Sequence, residues 1–267
     1  MSALRSRSDQ QPVRKRRGNP AGAALGDIAL WLFDFDNTLA LLETEVDWAA
    51  SRRRLEAFLR RHGVPGDLFD RFPSGNLLLY DALRSRLFGS HAGHDPAVAA
   101  AILNQASAII EQHELAGADR AAPTPGALDL LRSLEARGVP IAIVTSNCSR
   151  TVARWTRRNR VGGAIRAIVG RDTLLPLKPA PDMVERALEL CGVNACSAAL
   201  VGDSIADFDS ASAAGVRFYG VAIRPESRDA LVSAGASEIF ASPAALGIHF
   251  NLLGLDGRAL KPQRGAA

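Results

Sequence analysis

Asp34 and Asp36 flank Phe35 at the end of an apolar run that begins at Ile28. In extended backbone, residues i and i+2 point to the same side, so the two carboxylates converge while Phe35 turns the other way. Like charges brought that close repel, and a hard cation, a shared proton or both must hold them. Asp-x-Asp after a strand also occurs in loops that cap helices. A second apolar run ends in Val144-Thr145-Ser146-Asn147, ahead of a helical stretch from about Ser149. A hydroxyl beside backbone N–H groups at a helix N-terminus suits phosphate oxygens, and the same residue types serve equally as a plain helix cap. Lys178 stands in Leu177-Lys178-Pro179-Ala180-Pro181. The chain holds only Lys15, Lys178 and Lys261 against 29 arginines, so a lysine here suggests a need for a compact ammonium point charge. Finally, Val201-Gly202-Asp203-Ser204-Ile205-Ala206-Asp207 puts one acid at the end of an apolar run and another a helical turn later. One can ligate a metal while the other orients a water or a backbone group.

The elements that must position these residues are read from the hydrophobic pattern. Continuous apolar runs over Ile28–Asp34, Val139–Thr145 and Ala198–Gly202 suit strands buried on both faces of a parallel sheet. Weaker strand signals cover Ala164–Val169 and Phe218–Ile223. Helical patterns lie between them, over Ala127–Arg137 with Gly138 as a stop, Pro181–Leu190 closed by Gly192, and Ile205–Ala214 ending at Gly215. Strands alternating with short helices predict an α/β, Rossmann-like, doubly wound parallel sheet. Residues 45 to 118 hold no strand-like run. Helical stretches around Trp48–Arg61, Leu77–Phe88 and Pro96–Leu115, punctuated by Pro65-Gly66, Pro73-Ser74-Gly75 and His91-Ala92-Gly93, predict an inserted all-helical domain. The expected organisation is a basic tail over 1–23, a core over 24–42 and 121–245, a helical cap over 43–120 and an extension over 246–267. Leu39–Thr44 and Ala121–Gly126 would be the hinges.

At 267 residues the chain can bury a substantial core, and 47% hydrophobic with 22% charged residues excludes wholesale disorder and a disulfide miniprotein. No uncharged apolar run approaches membrane-spanning length. The net charge of +4 resolves into +5 in residues 1 to 20 and −1 in the rest. The basicity therefore belongs to a tail, read first as a solvated, disordered arm. Contact with RNA or a membrane surface, or a short targeting function, is the second reading of that arm. Cys148, Cys191 and Cys196 form an odd set without CxxC spacing, which points to reduced core thiols in a cytoplasm-like compartment.

In this order, D-F-D-N-T (34–38), V-T-S-N (144–147), L-K-P-x-P (177–181) and G-D-S-x-x-D (202–207) resemble the four motifs of the haloacid dehalogenase superfamily. The helical insert after the first motif resembles the small cap of its phosphoglycolate-phosphatase-like branch. The resemblance implies a phosphatase acting on a small phosphorylated metabolite through an aspartyl-phosphate. Asp34 would be the nucleophile and Asp36 the acid and base. Magnesium would be held by Asp34, the backbone carbonyl of Asp36, and Asp203. Thr145, Ser146, Asn147 and Lys178 would bind the phosphoryl group, with Thr38 and Asp207 supporting them. Within the superfamily, a dehalogenase needs no acid two residues after its nucleophile, and a phosphonate hydrolase needs a cap lysine, of which residues 39 to 124 have none. A phosphosugar mutase of the β-phosphoglucomutase kind shares all four motifs. A binding module without catalysis, reaching nucleic acid through the arginine tail, is the alternative from another class.

Other residues carry weaker expectations. Arg52, Arg53, Arg84 and Arg86, with Asn76 and Tyr80, are candidates for reading the leaving group. His91, His94 and Asp95 read as loop surface in preference to a zinc site. Arg150, Arg154 and Arg158 share one helix face, expected to be solvated.

Overall fold

Leu30–Phe33 forms β1, a four-residue strand buried along its whole length. That is what a continuous apolar run becomes at the centre of a parallel sheet. The computed structural model describes residues 27–89 and 95–260. The remaining strands are β2 (Ile141–Val144), β3 (Ile165–Val169), β4 (Ala198–Gly202), β5 (Arg217–Val221) and β6 (Ile239–Phe240), in the order β3-β2-β1-β4-β5-β6. Every pairing is parallel. The chain steps outward from β1 in both directions, so β1 sits at the point where the strand order reverses and a crevice opens beyond the carboxyl ends. Phe33 is in register with Ile143 on one side and Val201 on the other. The residues that follow, Asp34, Val144-Thr145 and Gly202-Asp203, therefore emerge side by side.

Alternation along the strands feeds two cores. Leu30, Leu32, Ala142, Val144, Ala198 and Leu200 face one side, while Trp31, Phe33, Ile141, Ile143, Ala199 and Val201 face the other. On the second side Trp31 stacks on Tyr219 at 5.8 Å and meets Phe250 edge-on at 5.1 Å.

Between β1 and β2 come α1 (Trp48–Arg61), α2 (Gly66–Arg71), α3 (Asn76–Phe88), α4 (Pro96–Ala118) and α5 (Ala127–Ala136). The first four are the helical insert. Asp47 caps α1 by accepting from Ala50 N at 2.8 Å, and Asp95 caps α4 by accepting from Ala97 N at 2.7 Å, with Pro96 at the first position. Leu55, Phe58 and Leu59 form the buried stripe of α1. The pattern gave no warning of α2, because six residues are too few to display a helical period. Pro65, read as a loop marker, is its N-cap. The later helices are α6 (Ser149–Arg158), α7 (Asp182–Cys191), α8 (Ile205–Ala213), α9 (Pro225–Ala234) and α10 (Pro243–His249).

Residues beyond 245, set apart in the sequence as an extension, contribute Leu246, Phe250, Leu252 and Leu253 to the core around Trp31. The basic tail, His91 and His94 lie outside the described residues. No helix among the described residues is long and apolar enough to cross a membrane.

Candidate active site

β1 ends at Phe33, but its ladder runs one residue further: Asp34 N donates to the carbonyl of Val201 at 2.9 Å. The chain then turns tightly, with Leu39 N and Ala40 N both donating to Phe35 O, and Asn37 takes a φ of 58° to do so. Phe35 is fully buried edge-on against Trp155 at 5.5 Å. Asp34 and Asp36 instead line a cavity of about 760 Å³. Asp36 is steered by the linker into the helical insert, its Oδ1 accepting from Leu42 N (3.0 Å) and Glu43 N (2.9 Å).

Lys178 joins the site from the loop after β3. Its ammonium donates to Asp34 Oδ1 and Asp207 Oδ1, each at 2.5 Å, and to the carbonyl of Val144 at 3.0 Å. All three of its protons are thereby used. Asp203 stands at the end of β4, and Asp207 lies one turn into α8. There Ser204 N and Oγ donate to Asp207 Oδ2 (3.1 and 2.6 Å), while Asp207 N donates back to Ser204 Oγ at 3.2 Å. Gly202 makes this approach possible, since a Cβ there would stand 2.5 Å from Asp207 Cβ. Both oxygens of Asp207 are thus committed, one to Lys178 and one to Ser204, which makes it a support for Lys178.

Carboxylate oxygens of Asp34, Asp203 and Asp207 lie within 4.8 Å of one another. Burial, followed by repulsion from Asp34, Asp207 and Asp36, pushes Asp203 up to about 9. Burial raises Asp34 to about 6 against the opposing pull of Lys178. Asp36 rises to about 7, again chiefly by burial, with the Glu43 and Leu42 amides pulling the other way. Lys178 loses hydration on burial, but Asp207 and Asp34 more than offset this and hold it above its ordinary range. Three clustered acids, two of them on one buried ammonium, make an oxygen-rich, anion-heavy arrangement that fits a hard divalent cation.

Thr145 N donates to Val169 O at 3.0 Å, fixing the end of β2. The N–H groups that follow were expected to face phosphate, and three of them have partners within the protein. Asn147 N donates to Thr145 Oγ1 (3.1 Å), Cys148 N to Glu114 (3.1 Å) and Ser149 N to Asp172 (2.8 Å). The Asn147 side chain is also taken at both ends, by Thr145 Oγ1 (3.1 Å) and Glu114 (3.0 Å). Thr145, Ser146 and Asn147 nevertheless line the same cavity as Asp34. Thr38 does not line it. Its hydroxyl is buried without a partner, and its carbonyl accepts from Thr124 Oγ1 at 2.6 Å, between the two linkers.

Of the leaving-group candidates, Arg52 and Asn76 line the cavity, beside Trp48, Leu77 and Leu78. Arg52 bonds Glu56 at 2.5 Å, and Asn76 donates to Trp48 O at 3.1 Å. The others do not join them. Arg53 is exposed, Arg84 pairs with Asp81 (3.2 Å), Arg86 lies 3.9 Å from Asp67, and Tyr80 is buried with its hydroxyl on Arg171 O. The arginine face of α6 is exposed, as expected, and its guanidinium groups also find partners across the surface. Arg154 holds Asp119 through two bonds of 2.6 Å, Arg150 reaches Glu111 at 3.4 Å, and Arg158 donates to Ala121 O at 3.0 Å. This face packs toward the end of α4, whose acids the helical period alone could not align with it.

Sequence reading missed Glu43, Arg224, Glu114 and Arg171. Glu43 accepts from Asn37 (3.1 Å) and Arg224 (3.2 Å), and Arg224 also stands 4.0 Å from Asp203. None of the four belongs to a local pattern; a charged residue inside the apolar spacing of α4 was the one available signal for Glu114.

An α/β sheet that gathers acids and a lysine beyond its central strands defines a hydrolase-type site at a topological switch point. Comparison with known proteins agrees with that class. Residues 88–221 match the family model of haloacid dehalogenase-like hydrolases. The chain is 31% identical over 193 residues to the phosphoglycolate phosphatase of Pseudomonas putida, covering 72% of this chain and 68% of that protein. It is 36% identical over 127 residues to the phosphoglycolate phosphatase of Rhodospirillum rubrum, 46% of this chain and about half (51%) of that one. Its fold is similar to the crystal structure of CbbY from Rhodobacter sphaeroides in complex with phosphate, with a TM-score of 0.55, 23% identity, and coverage of 86% of this chain and 98% of that chain. The chain belongs to the haloacid dehalogenase-like hydrolase family.

Proposed function

We propose that the protein is a magnesium-dependent phosphatase that hydrolyses a small phosphomonoester through a phosphorylated Asp34. The observation that carries this reading is the Lys178 ammonium bridging Asp34 and Asp207 at 2.5 Å each, with Asp203 beside them on the wall of a cavity of about 760 Å³. A buried carboxylate oriented by a lysine is a nucleophile held in one direction, and the neighbouring acids supply cation ligands.

Asp34, the backbone carbonyl of Asp36 and Asp203 would hold magnesium, whose charge, when bound, offsets repulsion between an anionic nucleophile and an anionic ester. An Asp34 oxygen attacks phosphorus, and the departing alkoxide takes the proton of Asp36. A carboxyl raised to about 7 is well placed to give that proton near neutrality and to take one back. In the second half Asp36 draws a proton from the water that attacks the aspartyl-phosphate, which releases phosphate and restores Asp34. The Lys178 charge, held by its three hydrogen bonds beside Asp34, offsets negative charge on the transferring group through space, and the Ser146 hydroxyl is the side-chain donor for its oxygens, since the Thr145 proton is held by Asn147. The leaving group lies against Trp48, Leu77 and Leu78, within reach of Arg52 and Asn76. The relatives' names make 2-phosphoglycolate the first ester to try. Three free cysteines, of which Cys148 alone is a core thiol while Cys191 is half-buried and Cys196 exposed, are in keeping with a reducing, cytoplasmic setting.

The test is phosphate release from a panel of small phosphomonoesters, with magnesium or with chelator, on the native chain and on Asp34→Asn. Magnesium-dependent release abolished by the substitution is the expected result. A folded, magnesium-loaded protein that turns over no ester refutes the reading.

A further inference from the structure

Glu114 and Arg171 are fully buried and paired with each other, at 2.7 Å from Nη1 to Oε1 and 3.1 Å from Nη2 to Oε2. Neither lines the catalytic cavity, and together they join four parts of the chain. Glu114, near the end of α4, also accepts from Asn147 Nδ2 (3.0 Å), Cys148 N (3.1 Å) and Thr151 Oγ1 (3.2 Å). Arg171, in the turn after β3, donates to Ser146 O at 2.8 Å and to Ser107 Oγ of α4 at 3.2 Å. Tyr80 of α3 lies beneath its guanidinium, 5.6 Å from ring centre, and donates to its carbonyl at 3.4 Å.

A buried ion pair is a weak source of stability, because an apolar pair of the same volume commonly does as well. What it provides is direction. Burial alone would raise the Glu114 carboxyl, but Arg171 and the surrounding donors hold it below its ordinary value, so it is an anion and can only accept. The Asn147 amide must therefore turn its NH₂ to Glu114 and its oxygen to Thr145. That oxygen can accept only the Thr145 hydroxyl proton, while Asn147 N donates back to Thr145 Oγ1. The position of the Thr145 hydroxyl is thus set, through one amide, by an acid on the helical insert.

We propose that Glu114 and Arg171 are a positioning pair: acting through Asn147, which keeps the Thr145 hydroxyl proton, and through the Ser146 carbonyl, they fix the turn of the Thr145–Ser146 loop so that Ser146 faces the phosphoryl group, and so tie that loop to α4. This rests on the reading of Thr145–Asn147 as the phosphate end of the cavity. The two charges come from segments 57 residues apart, so the loop is preorganised only when the insert is docked.

The experiment measures binding of inorganic phosphate, with magnesium present, by calorimetry on the full chain. The variants are Glu114→Gln and, as a partner in which no buried charge is left unpaired, Glu114→Leu with Arg171→Met. Melting temperature is followed in parallel. The expected result is a phosphate affinity weaker by on the order of ten- to a hundredfold, the loss of one charge-assisted contact, in protein that remains folded. In an Asn147→Leu background the Glu114 change should cost less than it does alone, since one of its connections to the loop is already cut; equal costs in the two backgrounds would overturn the part assigned to Asn147. A purely structural role would lower the melting temperature and leave the affinity of the folded protein within twofold of native, and that result overturns the proposal. So does a native chain that binds no phosphate. Failure of the native chain to hydrolyse esters counts against the phosphatase reading alone, because the binding measurement does not depend on turnover.

Discussion

Gly202→Ala is the substitution whose cost the site geometry states most directly. A Cβ at this position would stand 2.5 Å from both Cβ and Cγ of Asp207 and 2.7 Å from its Oδ2. Ordinary contact needs about 1 Å more, and Cβ of Asp207 cannot swing away because it is anchored in the first turn of α8. The helix start must move. Overpacking of this kind costs about 1–3 kcal/mol, and loss of the Ser204–Asp207 capping box adds about 1 kcal/mol. The sum, about 2–4 kcal/mol, corresponds to a fall of about 5–15 °C in melting temperature for a chain of this size. The same displacement draws Asp207 from Lys178, and with it the Lys178 contact to Asp34. A misplacement of about 1 Å at a reacting group costs on the order of a hundredfold in rate. Calorimetric melting and kcat/KM on the preferred ester would be measured on both proteins. A variant that melts within about 2 °C of native and keeps kcat/KM within about twofold would refute this account of how Gly202 sets the site.

Other perturbations test separate parts of the reading. Lys178→Met leaves Asp34 and Asp207 buried together without their cation; an unfolding free energy lowered by about 3–5 kcal/mol is expected in denaturant titration, and an unchanged midpoint would contradict it. Asp36 at about 7 is the acid for an alkoxide leaving group, so kcat/KM on alkyl phosphates should fall as pH rises above that value, whereas p-nitrophenyl phosphate, whose leaving group needs no proton, should lose this limb. Because Asp203 holds a proton up to about 9 through burial and neighbouring acids, a cation must displace it, and magnesium affinity measured by calorimetry should strengthen from pH 6 to pH 9 and weaken in Asp203→Asn. Phe250→Ala removes an edge-on partner of Trp31 and Tyr219 and should cost about 3–5 kcal/mol in the same titration, with KM unaffected.

The sheet, the helical insert and the four motif segments were legible because each is a local signal. An apolar run ending in acid is a buried strand meeting its exposed edge, and the parallel register then sets Asp34, Thr145 and Asp203 side by side without further instruction. Elements too short to show a period escaped, namely α2, α10 and β6, and so did α9, ten residues long, whose one buried residue, Leu231, leaves no apolar stripe to read. So did the role of residues beyond 245, whose leucines and Phe250 reveal their partner only once Trp31 is in place. Tertiary structure alone decided what each polar group is already holding. The amides after Thr145 look free in sequence, yet Glu114 and Asp172 have claimed two of them. Asp207 could have supported Asp203 or Lys178, and the 2.5 Å contact selects Lys178. The physical reason is the same throughout. Hydrophobic periodicity is written along the chain and dictates which elements form, whereas a hydrogen bond or ion pair needs two groups within about 3 Å, often contributed by segments that only folding brings together.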